Sequence, residues 1–158
     1  MKRRDFFKFA TMGTIVLGMA PEAAAIEKYF PTKVNQSLFE SINRVQDPSN
    51  KTALEKSHAP FITSPAKVKN GEPFNVEVSV GEILHPMGPA HWIEFIELNI
   101  GNEPAGRVDF QSRGYLNPRV VFTVVLKEAP AAGKITLIAH QRCNLHGYWE
   151  GSLDISVS

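Results

Sequence analysis

Five residues of the types that bind transition metals lie in three short, irregular segments of the chain. His58 stands in SHAP, His85 and His91 begin and end HPMGPAH, and Cys143 and His146 begin and end CNLH. Neutral imidazoles and one thiolate are a natural ligand set for iron, copper or zinc. Taken singly, each His is better explained as a hydrogen-bonded turn residue than as a metal ligand. The combination favours one metal site, formed where loops meet at the end of a domain.

The sequence contains a single Cys, Cys143, among 158 residues. One Cys forms no internal disulfide, and the lack of a second excludes the usual zinc-ribbon and iron–sulfur arrangements. Cys143 is therefore either an inert buried residue or a thiolate with a specific role. Its position three residues before His146 is ambiguous by itself, and it favours the second interpretation only in combination with the other His segments.

Composition limits the class of protein to which the chain can belong. The sequence has 17 Lys and Arg residues against 16 Asp and Glu residues, and 43% of its residues are hydrophobic. A nucleic-acid-binding protein would show a basic excess, so we expect no nucleic-acid partner. The mixture is also atypical of disordered chains and integral membrane proteins, and the length fits one ordinary domain.

The elements that must position the candidate ligands are predicted to be strands. Phe74, Val76, Val78 and Val80 alternate with polar residues in PFNVEVSV, as in a half-buried strand. HWIEFIELNI predicts a second strand, with GNEPAG as its turn and RVDF as its hairpin partner, and three more follow in RVVFTVVL, KITLIAH and LDISVS. These patterns predict an all-β fold, an immunoglobulin-like antiparallel β-sandwich with a short helical N-terminal extension.

Residues 26–54 are predicted to form this helical extension. Apolar residues recur there near helical spacing at Val34, Leu38, Ile42 and Val45. Asp47-Pro48-Ser49 then interrupts the pattern and is suited to cap a short second helix that runs towards Lys56. We expect the apolar stripe to pack on the domain rather than to bind a partner helix.

Residues 1–25 have the features of an export signal. Arg3 and Arg4 precede Phe-Phe and Lys8, as in twin-arginine signals, and an apolar stretch and an A-x-A pattern at Ala23 and Ala25 follow. The stretch is too short and too polar for a stable membrane span. We therefore expect recognition by the twin-arginine export machinery, cleavage after Ala25, a periplasmic location and no membrane span in the mature protein. The alternative is a cytosolic protein with a basic amphipathic start.

Three motifs together resemble those of the desulfoferrodoxin and neelaredoxin family, the superoxide reductases. The motifs are EKSHAP, HPMGPAHWIE and CNLHGYWEG, and the resemblance extends over residues 55–158. It implies an iron-binding domain over that range with an immunoglobulin-like fold, in agreement with the strand pattern. The four Cys of the rubredoxin-like domain found in some members are absent here, so the chain resembles the single-iron classes.

The resemblance also implies a site and a reaction. It implies one mononuclear iron that alternates between Fe(II) and Fe(III), with Cys143 as the axial ligand and four equatorial ligands, His58, His85, His91 and His146. The implied reaction is the one-electron reduction of superoxide to hydrogen peroxide. An exported member would need an electron donor in the periplasm, for which a cytochrome or a small redox protein is the expected class.

The first motif departs from the family pattern. The family motif is usually Glu-Lys-His, whereas Ser57 is inserted here to give Glu55-Lys56-Ser57-His58. The resemblance assigns catalytic roles to Lys56, as the cation that attracts superoxide, and to Glu55, as a group that ligates or shields the oxidised iron. In an extended segment one extra residue turns Lys56 to the opposite face, whereas a bulge or turn restores it. The alternative is that both are solvated loop charges.

Two other functions fit parts of the sequence. A periplasmic electron-transfer or metal-binding module with little superoxide activity would explain the Ser57 insertion. A metal-free immunoglobulin-like carrier or adaptor would leave the His and Cys clusters unexplained. His140 has no counterpart in the family motifs and is expected to be a structural strand residue. Trp92, Tyr148 and Trp149 are expected to wall the iron or pack in the core, and Asn144 to orient the loop after Cys143.

Overall fold

A computed structural model describes residues 34–113, 115–127 and 133–158. The predicted export signal, residues 1–25, lies outside the described residues. The helices are a 3-10 helix, Gln36–Phe39, and an α-helix, α1 (Ala53–His58). The strands are β1 (Ile42–Asn43), β2 (Pro60–Thr63), β3 (Lys67–Val68), β4 (Pro73–Val80), β5 (Ile93–Ile100), β6 (Glu103–Asp109), β7 (Arg119–Val125), β8 (Lys134–Cys143) and β9 (Gly147–Val157).

The strands form two sheets. The larger has the order β1-β9-β8-β5-β6, with β3 also paired to β9, and the smaller has the order β2-β4-β7. The long pairs are antiparallel, whereas β1 and β3 run parallel to β9. The predicted antiparallel β-sandwich is therefore confirmed.

Alternating apolar residues explain how the sheets pack. Val76, Val78 and Val80 of β4 are fully buried, and they share one core cluster with fully buried residues of the larger sheet, which include Ile96, Leu98, Leu137 and Ala139. Because side chains alternate between the faces of a strand, one apolar face per sheet suffices to form the core. The end of this core is formed in part by Cys143, the last residue of β8.

The described part of the predicted helical extension, residues 34–54, contains less helix than the spacing predicts, and residues 26–33 lie outside the described residues. Before α1, helix forms in this part only over Gln36–Phe39, and Ile42–Asn43 pairs with Tyr148–Trp149 as β1. The side-chain amide of Asn43 donates to the carbonyl oxygens of Leu38 (2.9 Å) and Tyr148 (2.8 Å), which favours the strand. Val34 and Ile42 remain about 40% exposed, so the stripe does not pack as one buried face.

Helix α1 forms where a short second helix is predicted, but its cap differs. Thr52, rather than Asp47-Pro48-Ser49, is the N-cap, and Thr52 and Glu55 form a reciprocal capping box. The helix spans the predicted boundary between residues 54 and 55, and the division into segments 1–25, 26–54 and 55–158 stays a prediction. Among the described residues, no helix is both long and apolar enough to cross a membrane.

The predicted GNEPAG turn is shorter in the structure. Ile100 pairs with Glu103, so β6 begins inside the predicted turn and only Gly101 and Asn102 connect the strands. Gly101 has a φ of 59°, as the first central residue of a type II′ turn requires. Further along the hairpin the pairing register shifts between Leu98 and Asn99, where β6 contains one residue more than β5.

Candidate metal centre

The five candidate ligands meet at one end of the sandwich. His58 is the last residue of α1, and Cys143 is the last residue of β8. His85 follows the turn after β4, His91 lies two residues before β5, and His146 lies in the turn between β8 and β9. One ligand atom from each residue lies within 4.8 Å of all the others. The structure therefore brings together all five residues that the sequence singles out.

The nitrogen atoms are spaced as ligands of one metal ion would be. His85 Nε2 lies 3.2 Å from His58 Nε2 and 2.9 Å from His91 Nε2, and His91 Nε2 lies 3.1 Å from His146 Nδ1. Two ligands about 2.1 Å from a metal and at right angles to each other are about 3.0 Å apart. Cys143 Sγ is 3.1 Å from His91 Nε2 and 3.4 Å from His146 Nδ1. Four nitrogen donors and one sulfur donor thus fit a single ion.

Hydrogen bonds to main-chain carbonyls orient two of the rings. His58 Nδ1 lies 2.9 Å from Leu54 O, and His85 Nδ1 lies 2.6 Å from Pro86 O. Because a carbonyl oxygen only accepts, each Nδ1 carries the proton, and each Nε2 is left with a lone pair directed into the cluster. Outer hydrogen bonds of this kind fix the tautomer and orientation of metal-binding imidazoles.

The inserted Ser57 contributes to this arrangement. Its hydroxyl lies 2.9 Å from His58 Nδ1 and donates within α1 towards the carbonyls of Ala53 (3.0 Å) and Leu54 (3.2 Å). The insertion is therefore accommodated in a helix, rather than in an extended segment or a bulge.

The segments that provide His58 and His85 are joined directly. The backbone N–H groups of Glu82 and Ile83 donate to Lys56 O at 2.8 and 3.4 Å. Gly81 makes the close approach possible, since a Cβ there would lie 2.7 Å from Ser57 O, and its φ of 83° favours glycine. The loop that leads to His85 is thus fixed against the end of α1.

Asn144 connects the other two ligand segments. Its side-chain oxygen accepts from Trp92 N (2.9 Å), and its side-chain nitrogen donates to Ala90 O (3.0 Å). These bonds link the segment around His91 to the loop after Cys143. Trp149 packs against two further ligands, since its indole N–H donates to His146 O (2.7 Å) and its ring stacks on the His58 ring.

The electrostatics of Cys143 depend on burial and on two amides. Burial raises the pKa of the Cys143 thiol to about 11, against the lowering effect of hydrogen bonds from the backbone N–H groups of Leu145 and His146. A coordinating metal deprotonates a thiol outright, and the same two N–H groups then stabilise the thiolate. The sulfur therefore fits a metal-bound anion better than a free nucleophile.

Burial keeps the four imidazoles neutral. It lowers the pKa of His58 to about 4 and that of His85 to about 3, and it also lowers the pKa values of His91 and His146. Positive charge on the neighbouring rings adds to the shift for His58 and His85. Because a metal binds the neutral imidazole, all four rings are in the binding form at neutral pH.

These shifts predict how the metal-free protein responds to acid. An unfolded His is protonated near pH 6.5, whereas folded His85 is protonated only near pH 3. Between these values the unfolded state binds the extra proton, so stability is lost as the pH falls from 6.5 towards 3. Each such His changes the free energy of unfolding by about 1.4 kcal/mol per pH unit in this range. We expect His85→Gln to remove one such contribution from urea-unfolding curves recorded between about pH 4 and pH 6; an unchanged slope would contradict this assignment.

The two catalytic candidates lie beside the cluster without joining it. Both carboxylate oxygens of Glu55 accept hydrogen bonds elsewhere, from Gln46 N (2.8 Å) and from Thr52 N (2.7 Å) and Oγ1 (2.8 Å). These bonds lower the pKa of Glu55. Lys56 is exposed and lies two residues before His58, which is about 200° around the helix. The catalytic roles of Glu55 and Lys56 stay predictions.

His140 lies outside the cluster, as expected. Its Nε2 lies 3.0 Å from Glu150 Oε2 and its Nδ1 lies 3.2 Å from Asn99 Nδ2. Arg44 forms a bidentate pair with the same Glu150 carboxylate, at 2.7 and 3.0 Å. The interactions join the N-terminal segment to β8 and β9, so His140 is a structural strand residue.

Sequence reasoning missed Gln141, a fully buried polar residue of β8. Its amide nitrogen donates to His58 O at 2.8 Å. A signal was available in the alternation of KITLIAHQRC, in which Gln141 occupies an inward position in step with Leu137, Ala139 and Cys143.

A β-sandwich whose loops bring four imidazoles and one thiolate to a single point defines a class of mononuclear metalloprotein. The chain belongs to the desulfoferrodoxin family, whose sequence model matches residues 50–152. A putative superoxide reductase of Methanocaldococcus jannaschii is 40% identical over 116 residues, which cover 72% of this chain and 92% of that protein. A superoxide reductase of Pyrococcus abyssi is 38% identical over 96 residues, covering 55% of this chain and 79% of the relative.

Solved structures show the same fold. The superoxide reductase (neelaredoxin) from Ignicoccus hospitalis aligns with a TM-score of 0.62 at 38% identity, over 80% of this chain and all of that one. This likeness confirms the immunoglobulin-like fold.

Proposed function

We propose that the protein is a superoxide reductase, which reduces superoxide by one electron to hydrogen peroxide. The observation that supports this most strongly is the convergence of His58, His85, His91, His146 and Cys143 on one point in a member of the desulfoferrodoxin family. The donor set fits the family's mononuclear iron, since the imidazoles are neutral and two of them have their Nε2 lone pairs fixed towards the centre.

Bound ferrous iron supplies the single electron that superoxide accepts. The chain determines the conditions for that transfer. Four neutral imidazoles would leave the charge of a bound ion largely uncompensated, which favours an approaching anion, and the Cys143 thiolate would donate electron density to the ion. No other His, Cys, Asp or Glu among the described residues joins the five, so the protein provides no sixth ligand of these types there.

The direct test is pulse radiolysis of the iron-loaded protein. We expect superoxide to disappear with second-order kinetics and the thiolate-to-Fe(III) absorption band to appear at the same rate. Metal-free protein serves as the control. Equal rates for loaded and metal-free protein would overturn the proposal.

Lys56 provides a test of how superoxide reaches the site. In the part of the chain that the structure describes, its side chain forms no ion pair, so its charge is available to attract an anion. Local positive potential raises association rates about tenfold or more and is screened by salt. We therefore expect Lys56→Ala to slow superoxide reduction about tenfold at low ionic strength and to flatten its salt dependence.

The matched control for Lys56→Ala is Lys69→Ala. Lys69 is exposed and pairs with Glu72, in the segment between β3 and β4. Both variants should retain the absorption band of the iron site. Unchanged rates for Lys56→Ala across a range of ionic strength would exclude the steering role.

A second candidate function is a periplasmic electron-transfer module with little superoxide activity. The placement of Glu55 and Lys56 favours it, because Glu55 binds Thr52 and Gln46 and the Lys56 side chain starts on the other side of α1 from His58. Such a protein would exchange electrons quickly with a redox partner while its reduced iron reacted slowly with superoxide. The pulse-radiolysis rate separates the two functions.

We further propose that the protein acts in the periplasm after export by the twin-arginine machinery. The support is the Arg3-Arg4 pair, the apolar stretch and the A-x-A pattern before Ile26. The electron donor would then be a periplasmic redox protein, such as a cytochrome. Replacement of Arg3 and Arg4 by Lys should leave the protein in the cytoplasmic fraction; periplasmic recovery of that variant would contradict the export route.

A further inference from the structure

Gln141 is a polar side chain in an apolar environment. It is fully buried on the inner face of β8, two residues before Cys143. Its register partners are Ile96 of β5 and Trp149 of β9, both buried. Its Nε2 donates to His58 O at 2.8 Å, and its Oε1 accepts no hydrogen bond from the described residues.

An unpaired amide oxygen in a protein core is costly, and an apolar side chain of the same size would avoid the cost. The other inward positions of β8 follow that rule, with Leu137, Ala139 and Cys143 in the core cluster. Gln141 is therefore unfavourable for packing alone. The compensating contribution of this side chain is its one hydrogen bond.

That hydrogen bond joins two of the segments that provide candidate metal ligands. His58 O belongs to the last residue of α1, and the last carbonyls of a helix have no partner within the helix. The amide of Gln141 provides such a partner from the strand that ends in Cys143. Since a carbonyl oxygen only accepts, Nε2 must face His58, which leaves Oε1 as the unpaired atom.

We propose that Gln141 is a positioning residue that holds His58 at a fixed place relative to Cys143, at the expense of core stability. The inference rests on the proposed function only in taking the five-residue cluster as a metal site. Gln141 does not itself belong to the ligand group. It acts through the main chain of His58, so its loss displaces the His58 imidazole without removing it.

The test compares metal affinity with the stability of the metal-free protein. The variant is Gln141→Leu, which removes both amide atoms at similar volume. We expect its affinity for Co²⁺, measured by chelator competition, to fall about 10-fold to 100-fold, as is typical when an outer hydrogen bond to a ligand is lost. Its visible Co²⁺ spectrum should shift, whereas the metal-free variant should be as stable to urea as the wild type or more stable.

The control is Ile96→Val. Ile96 is buried opposite Gln141 and makes no hydrogen bond through its side chain, so this variant should lose stability while keeping wild-type affinity for Co²⁺. A residue that acts only in packing would lower stability and affinity together. That result for Gln141→Leu, or affinity within about threefold of wild type, would overturn the proposal.

Co²⁺ binding does not depend on superoxide chemistry, so the two proposals fail separately. A protein that binds Co²⁺ as expected but, with iron, does not reduce superoxide would overturn the proposed function alone. Wild-type protein that binds no metal would overturn both.

Discussion

Cys143→Ser should abolish the thiolate-to-Fe(III) absorption band and slow superoxide reduction by about 100-fold or more, which corresponds to about 2.7 kcal/mol in the activation barrier. Cys143 is the sole sulfur donor of the cluster, 3.1 Å from His91 Nε2 and 3.4 Å from His146 Nδ1. A Ser hydroxyl at this buried position neither ionises as readily nor donates comparable electron density. Iron should still bind through the four imidazoles, with lower affinity.

The matched control for Cys143→Ser is Ala139→Ser. Ala139 is also fully buried on the inner face of β8, four residues earlier, so both variants place a hydroxyl in the same strand. We expect Ala139→Ser to keep the absorption band and the reaction rate. Loss of the band in both variants would show that a buried hydroxyl in β8 disturbs the site indirectly.

Gly147→Ala should destabilise the protein much more than the matched change Gly71→Ala. Gly147 follows the ligand His146 and has a φ of 74°, and a Cβ there would overlap Leu38 O and lie 2.6 Å from Leu38 C. Because these are main-chain atoms, the 3-10 helix must move away. We expect the free energy of unfolding to fall by about 3 kcal/mol or more, because left-handed backbone strain adds to the steric overlap.

Gly71→Ala separates the two contributions. Gly71 has a similar φ of 79°, but no atom of the described residues lies within 4 Å of the position that a Cβ would occupy there. Gly71→Ala should lower the free energy of unfolding only by the backbone strain, about 1–2 kcal/mol. Urea unfolding of the metal-free variants measures both values. Equal losses would show that the overlap with Leu38 contributes nothing.

The strands and the ligands are predictable from the sequence because their signals are local. Alternation in PFNVEVSV places Val76, Val78 and Val80 on one face, and the structure buries all three. The candidate ligands are indicated by residue type, and the order of their motifs resembles that of the desulfoferrodoxin family. Both signals lie in short segments and are recognisable without knowledge of how distant segments pair.

Local patterns are insufficient where distant contacts decide the conformation. Ile42 lies at helical spacing from Leu38 and Val45, but the parallel pairing of Ile42 and Asn43 with Tyr148 and Trp149 makes this segment a strand. The family motif also contains no sign that Glu55 accepts hydrogen bonds from Thr52 and Gln46. In both cases a residue that determines the conformation lies outside the stretch of sequence in which the pattern is recognised.

The most direct test of the central claim is the amount of hydrogen peroxide formed per superoxide consumed by the reduced, iron-loaded protein in the absence of an electron donor. Reduction by one electron predicts one peroxide per superoxide, one iron oxidised for each, and no dioxygen. Dismutation would give one peroxide and one dioxygen per two superoxide ions, with the iron returned to its starting state. That ratio, or the absence of peroxide, would contradict the assignment of this protein as a superoxide reductase.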